Sequence, residues 1–487
     1  SIQAYDTNSN IISTRDANDI GEDCVIDDLN RDIQCTDTQG SVTSRTFDLN
    51  NLVLTSTDAK NQVSSYTYDA RNRTETRTDR LGGITQFAYD TNSNLTSITD
   101  ALGKVTQYEF DLRNLQTKVT YADGKFTTSN YDALRRRLTF TDQLGEKVDY
   151  TYDLAGRMTQ RFYKLADDSV ESTDTFTYDL ASRPLTAFKG RYNNTVTYTY
   201  DSIGRPKTES LTANGNTYTT VSDYDVDNRE VICTYPNGDI VVKDYTDRTQ
   251  LESLTFNAAA IAGFTYDNGM RESTRIYGNN LVSTNTYNLD NTLDSISVVG
   301  KADLSFNYNY DVNKNVTGEN STGIVMDDYS WAAVFDSADR VISWERAGNI
   351  AGIVNDQSWN LDLIGNWNSV TTDGILEKRT HNDVHELTDI GGQGITYDEK
   401  GNLLTIAGDA LSWDIDNHLK SYTDNGFTTN FTYDALGRRV SKGNTLFVSH
   451  GQRVIEEYTE STSSYSLDRS YIHATYFDDI VAKVETN

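Results

Sequence analysis

The chain has 487 residues, more than one ordinary core needs, so it is either several domains or one extended repeat array. With 72 acidic against 43 basic residues its formal charge is −29, which repels phosphate backbones and anionic lipid headgroups and argues against nucleic acid or a membrane surface as partner. Thirty-one Tyr against 3 Pro and 3 Met, with abundant Thr, Asn, Asp and Gly, favour β-strands joined by turns over helices.

No apolar run reaches the roughly 18 residues of a membrane span, and no basic-then-apolar export segment opens the chain. Starting at Ser1 without Met, the sequence reads as a processed or excised piece of something longer.

An aromatic-Asp pair recurs at Tyr5-Asp6, Phe47-Asp48, Tyr68-Asp69, Tyr89-Asp90, Phe110-Asp111, Tyr131-Asp132 and Tyr152-Asp153. These lie on a 21-residue grid whose one missing node is filled by Ile26-Asp27. The beat continues with small insertions through Tyr178-Asp179, Tyr200-Asp201, Tyr224-Asp225, Tyr266-Asp267 and Tyr310-Asp311, and shortens through Tyr397-Asp398, Trp413-Asp414 and Tyr433-Asp434.

Within a unit, Tyr150 and Tyr152 alternate with Thr151, a period of two that puts both rings on one face of a strand. Asp153 can then cap a turn through its carboxylate, and Gly156 can take positive φ there; Asn72 and Asn114 stand at the glycine position in sister units. A second strand runs to another turn, as at Thr141-Asp142-Gln143-Leu144-Gly145, so each unit is one β-hairpin. The predicted fold class is all-β, an antiparallel β-hairpin repeat array. Its roughly forty strands exceed what an open twisted sheet tolerates, so it must wind into a spiral or tube. Tyr residues at equivalent positions are expected to stack across neighbouring strands.

Cys24 and Cys35 are symmetric about the Leu29-Asn30 turn and should face each other across one hairpin. They form a disulfide if the pair is of the close kind, or remain two buried thiols. Cys233 takes the slot of Cys35, but its expected partner is Ser222, so it should stay free. All five Trp lie after residue 330, where the beat is irregular. Residues 1–329 are therefore expected to be the regular spiral and 330–487 the terminal repeats that close it.

The pattern Tyr-x-Tyr-Asp-x-x-Gly-Arg appears as Tyr150 to Arg157, with Tyr152, Asp153, Gly156 and Arg157. It recurs as Tyr198 to Arg205, with Tyr200 and Asp201, and, opened by Phe431, as Phe431 to Arg438, with Tyr433, Asp434, Gly437 and Arg438. This resembles the YD or RHS repeat, over roughly residues 5 to 485. The resemblance implies a secreted or cell-surface β-spiral enclosing a hollow interior, which in the toxins of that family holds an effector. Its expected partners are an encapsulated protein cargo or neighbouring copies of itself. The segment Tyr471 to Val484 resembles the strand pair that precedes the family's core-associated segment. The hallmarks of self-cleavage have no counterpart, so no residue is assigned that role.

Other candidates reduce to structure. His381 and His385 have a spacing that holds metal on a helix, but His381-Asn382 falls where Tyr-Asp is expected. The run Asp223 to Asp227 starts like a calcium loop, yet Asn228 replaces the needed Gly and Thr234 the closing Glu. Gly391-Gly392-Gln393-Gly394 precedes a strand and reads as a turn. Carboxylate pairs such as Asp27-Asp28, Asp327-Asp328 and Asp478-Asp479 are too common to be diagnostic. The Tyr stripe can stack sugars, but core packing is its commoner use. No catalytic residue, cofactor or metal is assigned. The leading expectation is a passive shell or scaffold segment, against two rivals: an adhesive or filament-forming protein joined through sheet edges, and a polysaccharide-binding or polysaccharide-active protein.

Overall fold

The structure is a computed structural model that describes residues 2–300, 303–323, 329–348, 353–461, 464–474 and 479–485. Asp327-Asp328 and the stretch 475–478 of the predicted terminal strand pair lie outside these residues. The described residues form 47 strands and no helix. Each strand pairs antiparallel with the next, from Ile2–Tyr5 to Gln393–Gly394 and again from Thr396–Tyr397 to Ile480–Glu485, giving sheets of 37 and 10 strands. The pairing runs without a break across 329–330, where Gly318 faces Ala332.

The turn chemistry sets the repeat. In the Asp153 turn the aspartate N–H donates to Arg157 O at 2.9 Å, and Gly156 N–H returns to Asp153 O at 3.0 Å. The Asp153 carboxylate accepts the N–H of Ala155 at 2.9 Å and of Arg157 at 3.0 Å, satisfying donors the turn would otherwise leave unpaired. The fourth turn residue is left-handed throughout: φ is 83° at Gly156, 64° at Asn72 and 61° at Asn114. Thr249 is held there too, at φ 67°, although a β-branched residue is costly in that region. Thr249→Asn is therefore expected to stabilise the protein by about 1 kcal/mol, read as a higher denaturant midpoint.

A feature the sequence pattern did not announce is a bulge at every anchor. The register slips between Thr67 and Tyr68, Thr151 and Tyr152, Thr199 and Tyr200, and Thr432 and Tyr433. A bulge adds right-handed twist and bends its strand, so one bulge per unit supplies the curvature that rolls the sheet. The strands alternate between a threonine face, with cross-strand pairs such as Thr67–Thr76 and Thr199–Thr208 at 2.7 Å, and a tyrosine face carrying the anchor rings.

The winding is read from contacts between distant turns. Lys104 meets Asp383, 279 residues later, and Asp100 meets His385, 285 later; by Glu230–His450 the separation is 220, and at Arg275–Asp479 it is 204. The end of the second turn packs on the first. There, residues of the tyrosine face, including Val196, Leu211, Leu254, Tyr218 and Phe264, share one apolar core with Val440, Leu446, Val448, Ile455 and Ile472. A compact 54.6 kDa protein would expose roughly 18,000 Å². This chain exposes 26,358 Å², as expected of a thin wall with solvent on both sides.

Candidate functional site

Each anchor is a node that joins one unit to the next. Arg157 donates from Nε to Asp153 Oδ2 at 2.6 Å and from Nη1 to the backbone oxygen of Asp179, the next unit's aspartate, at 2.7 Å. Its guanidinium lies 5.0 Å over the ring of Tyr178. The same stack recurs for Arg73 over Tyr89, Arg136 over Tyr152, Arg183 over Tyr200 and Arg205 over Tyr224, at 4.4–4.7 Å. The tyrosine hydroxyl then reaches back to a backbone oxygen of the preceding unit: Tyr68 to Val53, Tyr131 to Gln116, Tyr152 to Arg137, Tyr200 to Pro184 and Tyr433 to Leu419, at 2.7–3.0 Å. Trp413 does the same with its indole N–H, 2.7 Å from Leu403 O.

The expected tyrosine-on-tyrosine stacking is thus replaced by arginine-on-tyrosine stacking. Equivalent rings are two strands, about 9–10 Å, apart, beyond the ~4.5–7 Å of a ring pair. A planar cation fills that gap, and the charge-assisted pair fixes its orientation. Ion pairing with Arg73, helped by backbone N–H groups, holds the Asp69 carboxyl at about 2. At these nodes the rings lie under guanidinium groups and the hydroxyls are engaged by backbone oxygens.

The seam between turns is the second recurring arrangement. Lys60 bridges Asp311 at 2.5 Å and Asp339 at 3.0 Å, Arg80 joins Asp58 to Asp339, and Lys400, 3% exposed, sits 3.0 Å from Asp142 and 3.1 Å from Glu146. His385 occupies a left-handed turn position and reaches Asp100 at 2.7 Å, whereas His381 ends the strand Ile375–His381 at an anchor bulge. Asp225 caps its turn and Asp223 pairs with Lys207, so the calcium-like run is committed to turn and strand. Gly391 and Gly392 form a left-handed turn, at φ 60° and 93°.

Farther along, the seam is buried. Arg438 is bound to Asp434 at 2.7 Å and to Glu209 in the first turn, and donates to Gly451 O at 2.6 Å. His450 Nε2 lies 2.8 Å from Glu230 and Nδ1 3.5 Å from Glu209. Burial opposes charge on Glu209, yet His450, Arg438 and the Gly451 N–H hold its carboxyl at about 2. The two carboxylates in turn overcome burial and push His450 up to about 9. Arg438→Lys keeps the charge but loses the fork that reaches three acceptors at once, and is expected to destabilise by about 1–3 kcal/mol. The same change at the more open Arg157 should give a clearly smaller shift of the unfolding midpoint.

Cys24 and Cys35 are directly opposite in register, with Cα atoms 4.1 Å apart and the sulfurs bonded. Cys233 is free and buried, opposite Ser222.

The family model of the RHS repeat matches residues 89–128. No curated protein matches the sequence. Among solved structures, the fold is similar to the Tc holotoxin pore of Photorhabdus luminescens, at TM-score 0.78 and 15% identity, covering 96% of this chain and 29% of that one. It is likewise similar to the TcdB2–TccC3 complex, at TM-score 0.78 and 15% identity over 97% of this chain and 30% of that one. The chain thus spans less than a third of the length of the solved chains it matches. The antiparallel hairpins, the repeat match and this likeness agree: residues 89–128 carry an RHS repeat, and the chain has the wound β-sheet fold seen in the Tc toxin complexes.

Proposed function

We propose that this chain is a non-enzymatic wall segment of a secreted or cell-surface bacterial protein, enclosing a protein cargo. Residues 330–487 close one end of the winding. The observation that carries the reading is the single-layer wall, wound onto itself, whose exposed surface of 26,358 Å² far exceeds that of a compact protein. Polar groups turn to one another across the nodes and the seam, an arrangement suited to holding shape. The charge of −29 keeps such a surface soluble and apart from nucleic acid.

The test is protection. An unfolded reporter segment fused after the last strand should resist an added protease while the wall is intact, and be cut once denaturant opens it. Cleavage at the rate of the free segment under native conditions would refute enclosure, and turnover of a glycan by the purified chain would refute the passive role.

A further inference from the structure

Three side chains with metal-ligand chemistry converge where the second turn packs on the first. Glu230 and Cys233 come from the strand Glu230–Thr234, and the bulge between Asp223 and Tyr224 brings Glu230 to the face that carries Cys233. His450 comes from the end of the strand Thr445–His450, 220 residues later. One donor atom from each of the three lies within 4.8 Å of the other two.

We infer that Glu230, Cys233 and His450 form a binding site for a divalent transition-metal ion of the zinc class, which staples the second turn of the spiral to the first. An ion placed among three atoms no more than 4.8 Å apart sits about 2.8 Å or less from each, so contractions of under about 1 Å reach ordinary Zn–O, Zn–N and Zn–S lengths. The carboxylate, imidazole and thiolate donors suit a borderline cation, and three protein ligands leave one position for water.

The surroundings are those of a built site. His450 presents Nε2 to Glu230, while Nδ1 is buried without a hydrogen bond, 3.5 Å from Glu209. A carboxylate behind the far ring nitrogen is the outer partner that orients a metal-bound imidazole. Glu209 is itself fixed by Arg438 and by the Gly451 N–H at 2.9 Å, and the Ser222 hydroxyl donates to Glu230.

Binding Zn²⁺ takes His450 as the neutral imidazole and Cys233 as the thiolate, releasing to solvent the protons these groups carry as the Zn–N and Zn–S bonds form, with no change of oxidation state. Lys243, 3.8 Å from Glu230, and Arg438 remain paired as before.

The test uses the purified chain with Co²⁺ as spectroscopic probe and Zn²⁺ as competitor. One equivalent of Co²⁺ should give both ligand-field bands and a thiolate charge-transfer band, displaced by Zn²⁺. Binding should release protons into weak buffer. Cys233→Ser should abolish the charge-transfer band and weaken Zn²⁺ at least tenfold while the Cys24–Cys35 bridge is unaffected, and His450→Gln should weaken it similarly. Zn²⁺ should also raise the thermal midpoint of the wild type but not of Cys233→Ser. If the folded wild type gives no charge-transfer band, or if Cys233→Ser binds Zn²⁺ as tightly as the wild type, the site does not exist. Should His450→Gln fail to fold, protection of the Cys233 thiol from alkylation by Zn²⁺ in the wild type decides instead: no protection overturns the assignment.

Discussion

Asp174→Ala is expected to cost about 3–5 kcal/mol of stability, among the largest effects of any single substitution in this chain. Asp174 is 0% exposed, and its two oxygens accept from Arg161 at 2.8 Å, Tyr163 at 3.0 Å, Lys189 at 3.2 Å and the Gly190 N–H at 3.1 Å. Lys189 is 1% exposed, and without Asp174 only Asp416, 2.6 Å away across the seam, balances it. Removing Asp174 leaves the buried Lys189 and the partly buried Arg161 with one fewer carboxylate and no water in its place, which is why the effect exceeds that of any surface pair. Lys189→Met should cost less, because Asp174 keeps three donors. The double variant should be less destabilised than the sum of the singles by more than about 1 kcal/mol, measured in a denaturant double-mutant cycle. Additive effects would mean that Asp174 and Lys189 do not act as a unit.

The contrast between Asp174 and the anchor aspartates shows where sequence reasoning reaches and where it stops. The Tyr-Asp beat, the period-two alternation around Tyr152 and the glycine or asparagine at the fourth turn position are local features, each tied to a backbone requirement, and they foretell hairpins, turns and a curling sheet. The cross-hairpin position of Cys24 and Cys35 follows from the same register. The arginine of the motif was visible at Arg157 and Arg205, but its ring partner lies one unit on. Two strands of separation, not the motif's spelling, make it a bridge between Asp153 and Tyr178. The seam was illegible for a stronger reason. Its pairs lie 204 to 285 residues apart, and nothing local distinguishes Lys189, Glu209 or His450 from solvated charges elsewhere in so polar a chain. A local trace did exist: Glu209 stands, nine residues after its anchor, where Ile98, Val119 and Phe140 stand in sister units.

Glu456 reports whether the second turn is packed on the first as described, and its expected signature is stability that falls as pH rises. The residue is 0% exposed among apolar neighbours; Tyr458 donates to it at 2.7 Å and the Asn237 N–H at 3.3 Å. Burial is the main influence and, with nearby Asp239 adding to it, outweighs both hydrogen bonds, so the carboxyl is pushed up from 4.5 to about 7. A folded-state value above the unfolded one means that the folded chain holds the proton more tightly. The stability from this group is then complete below about pH 4.5, declines between about 4.5 and 7, and is absent above. The shift corresponds to about 3–4 kcal/mol across that window. Glu456→Gln retains an acceptor for Tyr458 and Asn237 without a titrating proton. It should therefore change stability little at pH 4.5, exceed the wild type at pH 8, and remove this part of the decline from urea-unfolding midpoints measured between them. Identical pH slopes for the two proteins would mean that Glu456 is solvated, and that the second turn does not seat on the tyrosine face at Asn237.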